Sequence, residues 1–267
     1  MKKICGLTAI IISVVFISCQ QEIADFINPE QPCRIITGYY YGGSGGINDS
    51  VQFTYTGDNV TRSEGRDQYV TYSYTGNNIT VRKFYEKPGD LLWSVDSIEY
   101  NASDKITRLI NRNYPSNWIN LDSTRTIYSF IYSGTHLSKV IESEDHFFQP
   151  PDTGVYVFNS NAAGNLDHIY ITDAQNNVWD SISYYFDANP NYFKIAHPDF
   201  FLFDPFFELH VGLVPHFPYF YSQNNVTGFT IYGNANYSIV YGLDSLNNMT
   251  RVDMGGFEYM KYKYACQ

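Results

Sequence analysis

Charge is scarce in this sequence, and positive charge is scarcest. Asp, Glu, Lys and Arg make up 16% of the 267 residues, with 17 basic residues against 27 acidic ones. A chain with that balance repels phosphate backbones, which excludes nucleic acid as a partner. Helical periodicity is missing as well: no stretch sustains apolar residues at i, i+3, i+4 and i+7 behind a capping residue, so helix is expected to be minor. Cysteine is limited to four residues. Low charge does not mean disorder here, because aromatics reach 18% of the chain and Tyr alone contributes 25 residues. Such a composition suits sheets faced with Tyr, Thr, Ser and Asn.

The N-terminus comes first because it decides what remains. Met1, Lys2 and Lys3 form a short basic region, and residues 4–17 are almost wholly apolar, a run too short to span a bilayer comfortably. It ends in "FISC", with Cys19 directly after Ser18. This resembles the lipobox of bacterial lipoproteins, in which the cysteine is acylated and becomes the new N-terminus, although Phe16 stands where Leu is usual. Residues 1–18 are therefore expected to be a lipoprotein signal peptide, residues 19–33 a tether and residues 34–267 a single domain. The implied partner of Cys19 is the lipid bilayer. The implied location is the outer membrane of the envelope, with the cell surface and the periplasmic face both open. Loss of Lys2 and Lys3 leaves 15 basic residues against 27 acidic ones, a net charge of −12. Cys5 departs with the signal peptide, and Cys33 and Cys266 remain near the two ends. In an oxidising compartment they pair as a disulfide or persist as two separate buried thiols.

The body of the chain repeats itself. "SVQFTYTGDNVTR" (50–62), "VTYSYTGNNITVRKF" (70–84), "VDSIEYNASDKITRLI" (95–110), "IYSFIYSGTHLSKVI" (127–141) and "YSIVYGLDSLNNMTRV" (237–252) share one plan. Alternating Val, Ile, Phe and Tyr lead to an aromatic residue, a cluster of Gly, Asn, Asp or Ser follows, and a second β-branched run departs. Period-two alternation bounded by such clusters predicts strand, turn, strand. Gly57, Gly76 and Gly134, with Asn59, Asn77 and Asn78, supply turn conformations. The turn-preceding aromatics Tyr55, Tyr74, Tyr100, Tyr132 and Phe158 lie about 19 to 32 residues apart, room for two strands each. One hairpin cannot bury its apolar face alone. The expected fold is all-β, a long antiparallel meander of hairpins forming a curved sheet or barrel-like domain, with a two-sheet sandwich as the alternative.

Residues 192–221, "YFKIAHPDFFLFDPFFELHVGLVPHFPYFY", break this plan. Pro198, Pro205, Pro215 and Pro218 forbid a continuous helix or a central strand. The segment reads as an insertion covering the apolar face of the sheet, with Phe200, Phe203, Phe206 and Phe207 inserted and Tyr219 and Tyr221 at an exposed rim as candidate ligand contacts. The other reading is an aromatic surface for a glycan, lipid or protein.

Enzyme motifs fail on their contexts. "GGSGG" around Ser44 lacks the helix that a nucleophile elbow needs. Asp187, Asn189 and Asn191 open like a calcium loop, but Tyr192 and Pro198 occupy the obligatory Gly and Glu positions. His197, His210 and His216, near Asp199, Asp204 and Glu208, have no recognised ligand spacing. No metal and no cofactor is expected. Acidic residues read as single turn residues, at Asp58, Asp104, Asp167 and Asp244, rather than as a facing pair across a cleft.

A second phrase, Asp-Ser, recurs at the feet of strands, where it can satisfy turn backbone groups. Followed by an aliphatic residue or Thr it also resembles the O-glycosylation sequon of Bacteroidota envelope proteins, which marks Ser50, Ser97, Ser123, Ser181 and Ser245. The lipobox, the Tyr/Asn-Gly hairpins and the stretch from "FDANPNYF" (186–193) to "YSQNNVTGFTIY" (221–232) are similar to Bacteroidota lipoproteins carrying an uncharacterised domain of porin-like fold. The resemblance covers most of residues 34–264 and implies fold and location, without catalytic residues. The expectation is an envelope lipoprotein with a binding or structural role, not an enzyme, whose partner is a glycan or envelope protein. The alternative is a glycan-active enzyme or a carbohydrate-binding accessory protein of a nutrient-uptake system.

Overall fold

The computed structural model describes residues 33–41, 47–114, 124–145, 152–193, 217–231, 235–255 and 257–266. Along them run sixteen strands: β1 (Cys33–Tyr41), β2 (Ile47–Thr56), β3 (Asn59–Glu64), β4 (Gln68–Thr75), β5 (Asn78–Glu86), β6 (Leu91–Tyr100), β7 (Ile106–Asn113), β8 (Arg125–Ser133), β9 (His136–Asp145), β10 (Asp152–Ser160), β11 (Leu166–Thr172), β12 (Val178–Pro190), β13 (Asn224–Ile231), β14 (Ala235–Leu243), β15 (Met249–Met254) and β16 (Phe257–Cys266). One short helix, α1 (Phe217–Tyr221), precedes β13. Each strand pairs antiparallel with its sequence neighbours, and β1 pairs with β16, so the meander closes into a barrel. The sandwich alternative is excluded by that closure.

The tight turns explain the repeat. Gly57 and Gly76 adopt φ of 58° and 62°, which a residue with a Cβ rarely enters. Longer connections use one device four times, in which a side-chain oxygen of Asn101, Asn161, Asp173 or Asp244 accepts from backbone N–H groups two and four residues on. These connections define two ends. The disulfide end carries Cys33, Cys266, the turns at 57–58, 76–77 and 134–135, and the entry of α1. The opposite end carries the turns at 65–67, 87–90 and 173–177.

Just inside the disulfide end, each hairpin contributes one aliphatic residue to a buried ring: Ile35, Val60, Ile79, Ile106, Leu137, Leu166, Val226 and Met249. The aromatic residue of the repeat locks neighbouring hairpins together. The hydroxyls of Tyr55, Tyr74, Tyr100, Tyr241 and Tyr264 donate to the main-chain oxygens of Ile35, Val60, Ile79, Val226 and Met249, at 2.8–2.9 Å. Each bond joins one hairpin's last turn to the next. Across β8 to β12 the ladder gives way to α1, whose Phe217 ring lies 5.5 Å from Phe130 and 5.9 Å from Phe158. Phe193, Phe217 and Phe220 are buried with it, so both described ends of the aromatic insertion enter the barrel.

A barrel of this many strands can hold a water channel, yet here the inner face is a hydrophobic core. Since no outer layer among the described residues covers the strands, side chains of the core point inward and the alternate ones outward. Inward rows include Ile98, Leu109 and Tyr128, then Phe158, Ile169 and Ile182. Outward rows are largely polar: Thr71, Lys83, Val95, Arg112 and Arg125; Glu99, Arg108, Ser129 and Ile141; Asn159, His168, Ser183, Thr230 and Asn236. Apolar residues such as Ile131 and Val240 stand among them, exposed one by one.

Candidate functional site

Toward the opposite end the inner face changes character. Halfway along, Tyr72, Arg82, Asp96 and Asn111 follow one another across four strands. Arg82 and Asp96 are both fully buried and form an ion pair at 2.5 Å. The Asn111 amide donates to the Asp96 carboxylate at 2.6 Å and to Ser94 Oγ at 2.8 Å. The Arg82 guanidinium also lies 5.4 Å from the centre of the Phe84 ring. Buried charges of this kind persist only when paired and hydrogen-bonded.

Beyond them lies a cavity of about 520 Å³ lined by Glu142, Glu144, Thr153, Gly154, Tyr156, Asp173, Asn177 and Trp179. Four elements build it. On β9, Glu142 and Glu144 share the parity of Val140, which is wholly buried, so both carboxylates face inward. Glu142 is held by two phenols, accepting from Tyr128 at 3.1 Å and Tyr156 at 2.7 Å. Burial and the Glu142 carboxylate push the Tyr156 hydroxyl well above the usual phenol range, which keeps it a donor. Asp173 accepts from the backbone and side chain of Asn177, which fixes the β11–β12 turn and holds its carboxyl below the usual range. Trp179 sits where the β11–β12 register shifts, and it is 62% exposed. The cavity therefore combines a fixed carboxylate, a second carboxylate, an amide and an exposed indole, a set that can bind a small polar ligand.

The residues singled out from sequence fall elsewhere. Cys33 and Cys266 lie opposite each other in the β1–β16 ladder and form a disulfide with S–S 2.02 Å. Tyr219 is not at an exposed rim: it is 3% exposed, set edge-on against Tyr184 and Phe193. A tyrosine there fills the barrel because α1 enters it, and the same helix brings Tyr221 edge-on to Phe217. Asp96 and Asp180 do not serve turns; they lie within β6 and β12, on inward rows. Among the described residues, the Asp244 copy of the Asp-Ser phrase is the one that caps a turn in the expected way. Asp167 likewise belongs to β11 rather than to a turn. Ser97 and Ser245 are exposed, and Ser50 and Ser181 are half-buried. Cys19, Ser44, Ser123, the four inserted Phe residues and the three-histidine set lie outside the described residues. Among the described residues no group of three or more His, Cys, Asp or Glu could hold a metal ion.

Sequence reasoning passed over Glu142, Glu144 and Trp179. The signal was present in "SKVIESED" (138–145), where two successive residues on the inward parity of a strand are acidic. Such a local conflict between pattern and chemistry marks a functional position.

No family model matches this chain, and no curated protein does. Solved structures are similar in fold. A porin-like protein from Bacteroides vulgatus matches over 88% of this chain and 99% of its own, at 15% identity and a TM-score of 0.52. A porin-like protein from Bacteroides uniformis matches over 90% and 93%, at 13% identity and a TM-score of 0.46. The TcdB2-TccC3-Cdc42 complex matches over 85% of this chain and 12% of its own, at 13% identity and a TM-score of 0.35.

Proposed function

We propose that this chain is an envelope lipoprotein whose barrel stands clear of the bilayer, held there by lipid on Cys19, with a binding or structural role rather than a catalytic one. The observation that carries this reading is the polarity of the barrel wall. A strand barrel that crosses a membrane presents an apolar band about 25 Å tall to lipid, and an Arg or Lys on that face costs about 2–4 kcal/mol at the midplane. Here the outward rows carry Lys83, Arg108, Arg112, Arg125 and Lys139 within their strands, while a hydrophobic core fills the inside and only scattered apolar residues such as Ile131 and Val240 face out among the described residues. The fold is similar to that of a porin-like protein, and its wall carries charge within the strands. Among the described residues no helix is long and apolar enough to cross a membrane. In this reading the acyl chains of Cys19 are the attachment.

The carboxylates favour binding over hydrolysis. Glu142 and Glu144 stand side by side on one strand, and Asp173, which lines the same cavity from the β11–β12 turn, is engaged by Asn177 and the turn backbone, whereas a glycosidase pair flanks the scissile bond from two sides with one member held protonated. The acidic residues after Cys19, Glu22 and Asp25, favour display on the cell surface.

Export of the chain from Gln20 onward behind a cleavable signal peptide without a lipobox tests the reading. Recovery as a folded monomer in detergent-free buffer is the expected result. Retention in membranes after carbonate washing would overturn it.

A further inference from the structure

The cavity at the opposite end shares no lining residue with the plugged disulfide end. Its walls restrict what can fill it. Glu142, Glu144, Asp173 and the Asn177 side-chain oxygen are acceptors, and the two phenols nearest to Glu142 already direct their protons at it. Asn177 in turn gives its amide N–H to Asp173. The wall is thus rich in acceptors, with the Thr153 hydroxyl and the Trp179 indole N–H as its donor groups, and it favours a ligand that brings donors of its own. Phosphate, sulfate and carboxylate groups are disfavoured, since three carboxylates would set negative charge against negative charge.

The indole narrows the class further. Among aromatic side chains that the barrel mostly buries, Trp179 leaves 62% of its surface in water at the wall of a cavity. A large apolar face kept in water beside ordered polar groups is the usual form of a contact surface. Further along the same end, Phe229 and Tyr237 stack at 4.8 Å on an inward row, with Tyr237 39% exposed. A quaternary ammonium is typically held in a cage of several aromatic faces. Trp179 instead offers one exposed indole in a cavity whose other walls carry carboxylates. That arrangement matches a pyranose ring, which turns a C–H face to the indole and presents hydroxyl donors around its rim.

The geometry points to a binding site for a neutral saccharide in this cavity, with Trp179 as the stacking platform and Glu142 and Glu144 accepting from ring hydroxyls. Its volume falls in the range of small-ligand pockets, about 300–1,000 Å³. Glu142 is pre-set for the task, because Tyr128 and Tyr156 fix both of its oxygens while a carboxylate offers about four acceptor positions. The proposal deepens the binding role given above, and it moves the site from Tyr219 and Tyr221 to the other end of the barrel.

The test uses the full-length protein in a detergent without a sugar headgroup, titrated by calorimetry with maltose, cellobiose, lactose and mannobiose, and separately with putrescine. Saturable binding of at least one disaccharide is expected, weakened tenfold or more by Trp179→Ala. Because Trp179 is mostly in water, that variant should melt with the wild type. If it fails to fold, Glu144→Gln keeps the shape of the wall and should still lower affinity several-fold. Absence of binding by all four disaccharides, or equal binding by wild type and both variants, would overturn the site. Binding of putrescine with no disaccharide response would replace the saccharide with a cation and refute the assignment. None of these outcomes depends on membrane fractionation, so the site can fail while the lipoprotein reading stands, and the reverse.

Discussion

The hydroxyl of Tyr74 donates to the main-chain oxygen of Val60 across a hairpin boundary, at 2.9 Å. The same bond recurs at Tyr55, Tyr100, Tyr241 and Tyr264, so the recurring tyrosine is a hydrogen-bond donor as well as a core residue. Tyr74→Phe keeps the ring and leaves a buried carbonyl unpaired, which costs about 1–3 kcal/mol. Tyr170→Phe, on an outward row, should change stability by less than about 0.5 kcal/mol. Urea unfolding of the two variants separates them, and equal midpoints would remove the ladder's energetic role.

Alkaline pH should unfold the barrel early. Burial, the largest cause, pushes the phenols of Tyr55, Tyr241 and Tyr264 above their usual range. A pKa raised by folding gives stability that is complete below the unfolded value, about 10 for Tyr, and lost as pH rises toward the folded value. The melting temperature should hold to about pH 9 and then fall. Phenolate absorbance followed alongside should show a late fraction of tyrosines that ionises only with unfolding.

The Arg82–Asp96 pair can be tested by a mutant cycle. Asp96→Asn leaves a buried guanidinium without its counter-charge and should cost about 3–5 kcal/mol. Replacing both by apolar residues, Arg82→Met with Asp96→Leu, should recover most of that loss, because the desolvation of both ions disappears together. A double variant as unstable as the single one would mean that Asn111 and Ser94 depend on the pair.

Reduction of Cys33–Cys266 opens a loop of 233 residues. In the chain-entropy model such a link stabilises by up to about 5 kcal/mol. The β1–β16 ladder closes the barrel without it, so Cys33→Ser should lower the denaturant midpoint yet retain the far-ultraviolet β spectrum. Loss of that spectrum would make the disulfide the condition for closure.

Phe217→Ala should cost about 3–5 kcal/mol, since its ring is fully buried between Phe130 and Phe158 where the tyrosine ladder stops. Calorimetric melting checks it. A variant within two degrees of wild type would mean that α1 is not part of the core.

Strands and turns were legible because their causes are local. Gly57 and Gly76 had to bend the chain, the alternation on either side had to bury one face, and Tyr55 and Tyr74 marked each hairpin's last turn. The inward position of Glu142 and Glu144 was legible in the same way, from their parity with Val140. The partner of each Tyr hydroxyl was not, because the acceptor is a backbone oxygen and leaves no residue type to read.

The amino-acid order by itself determined that this chain is a meander of hairpins and where each one turns, since φ preference and period-two burial act within a few residues. Only the tertiary structure decided that β1 meets β16 and that the apolar faces turn inward. It alone brought Arg82 to Asp96, and Trp179 into one cavity with Glu142. Those placements depend on barrel closure and strand stagger, which sum small twists over sixteen strands and are written in no single segment.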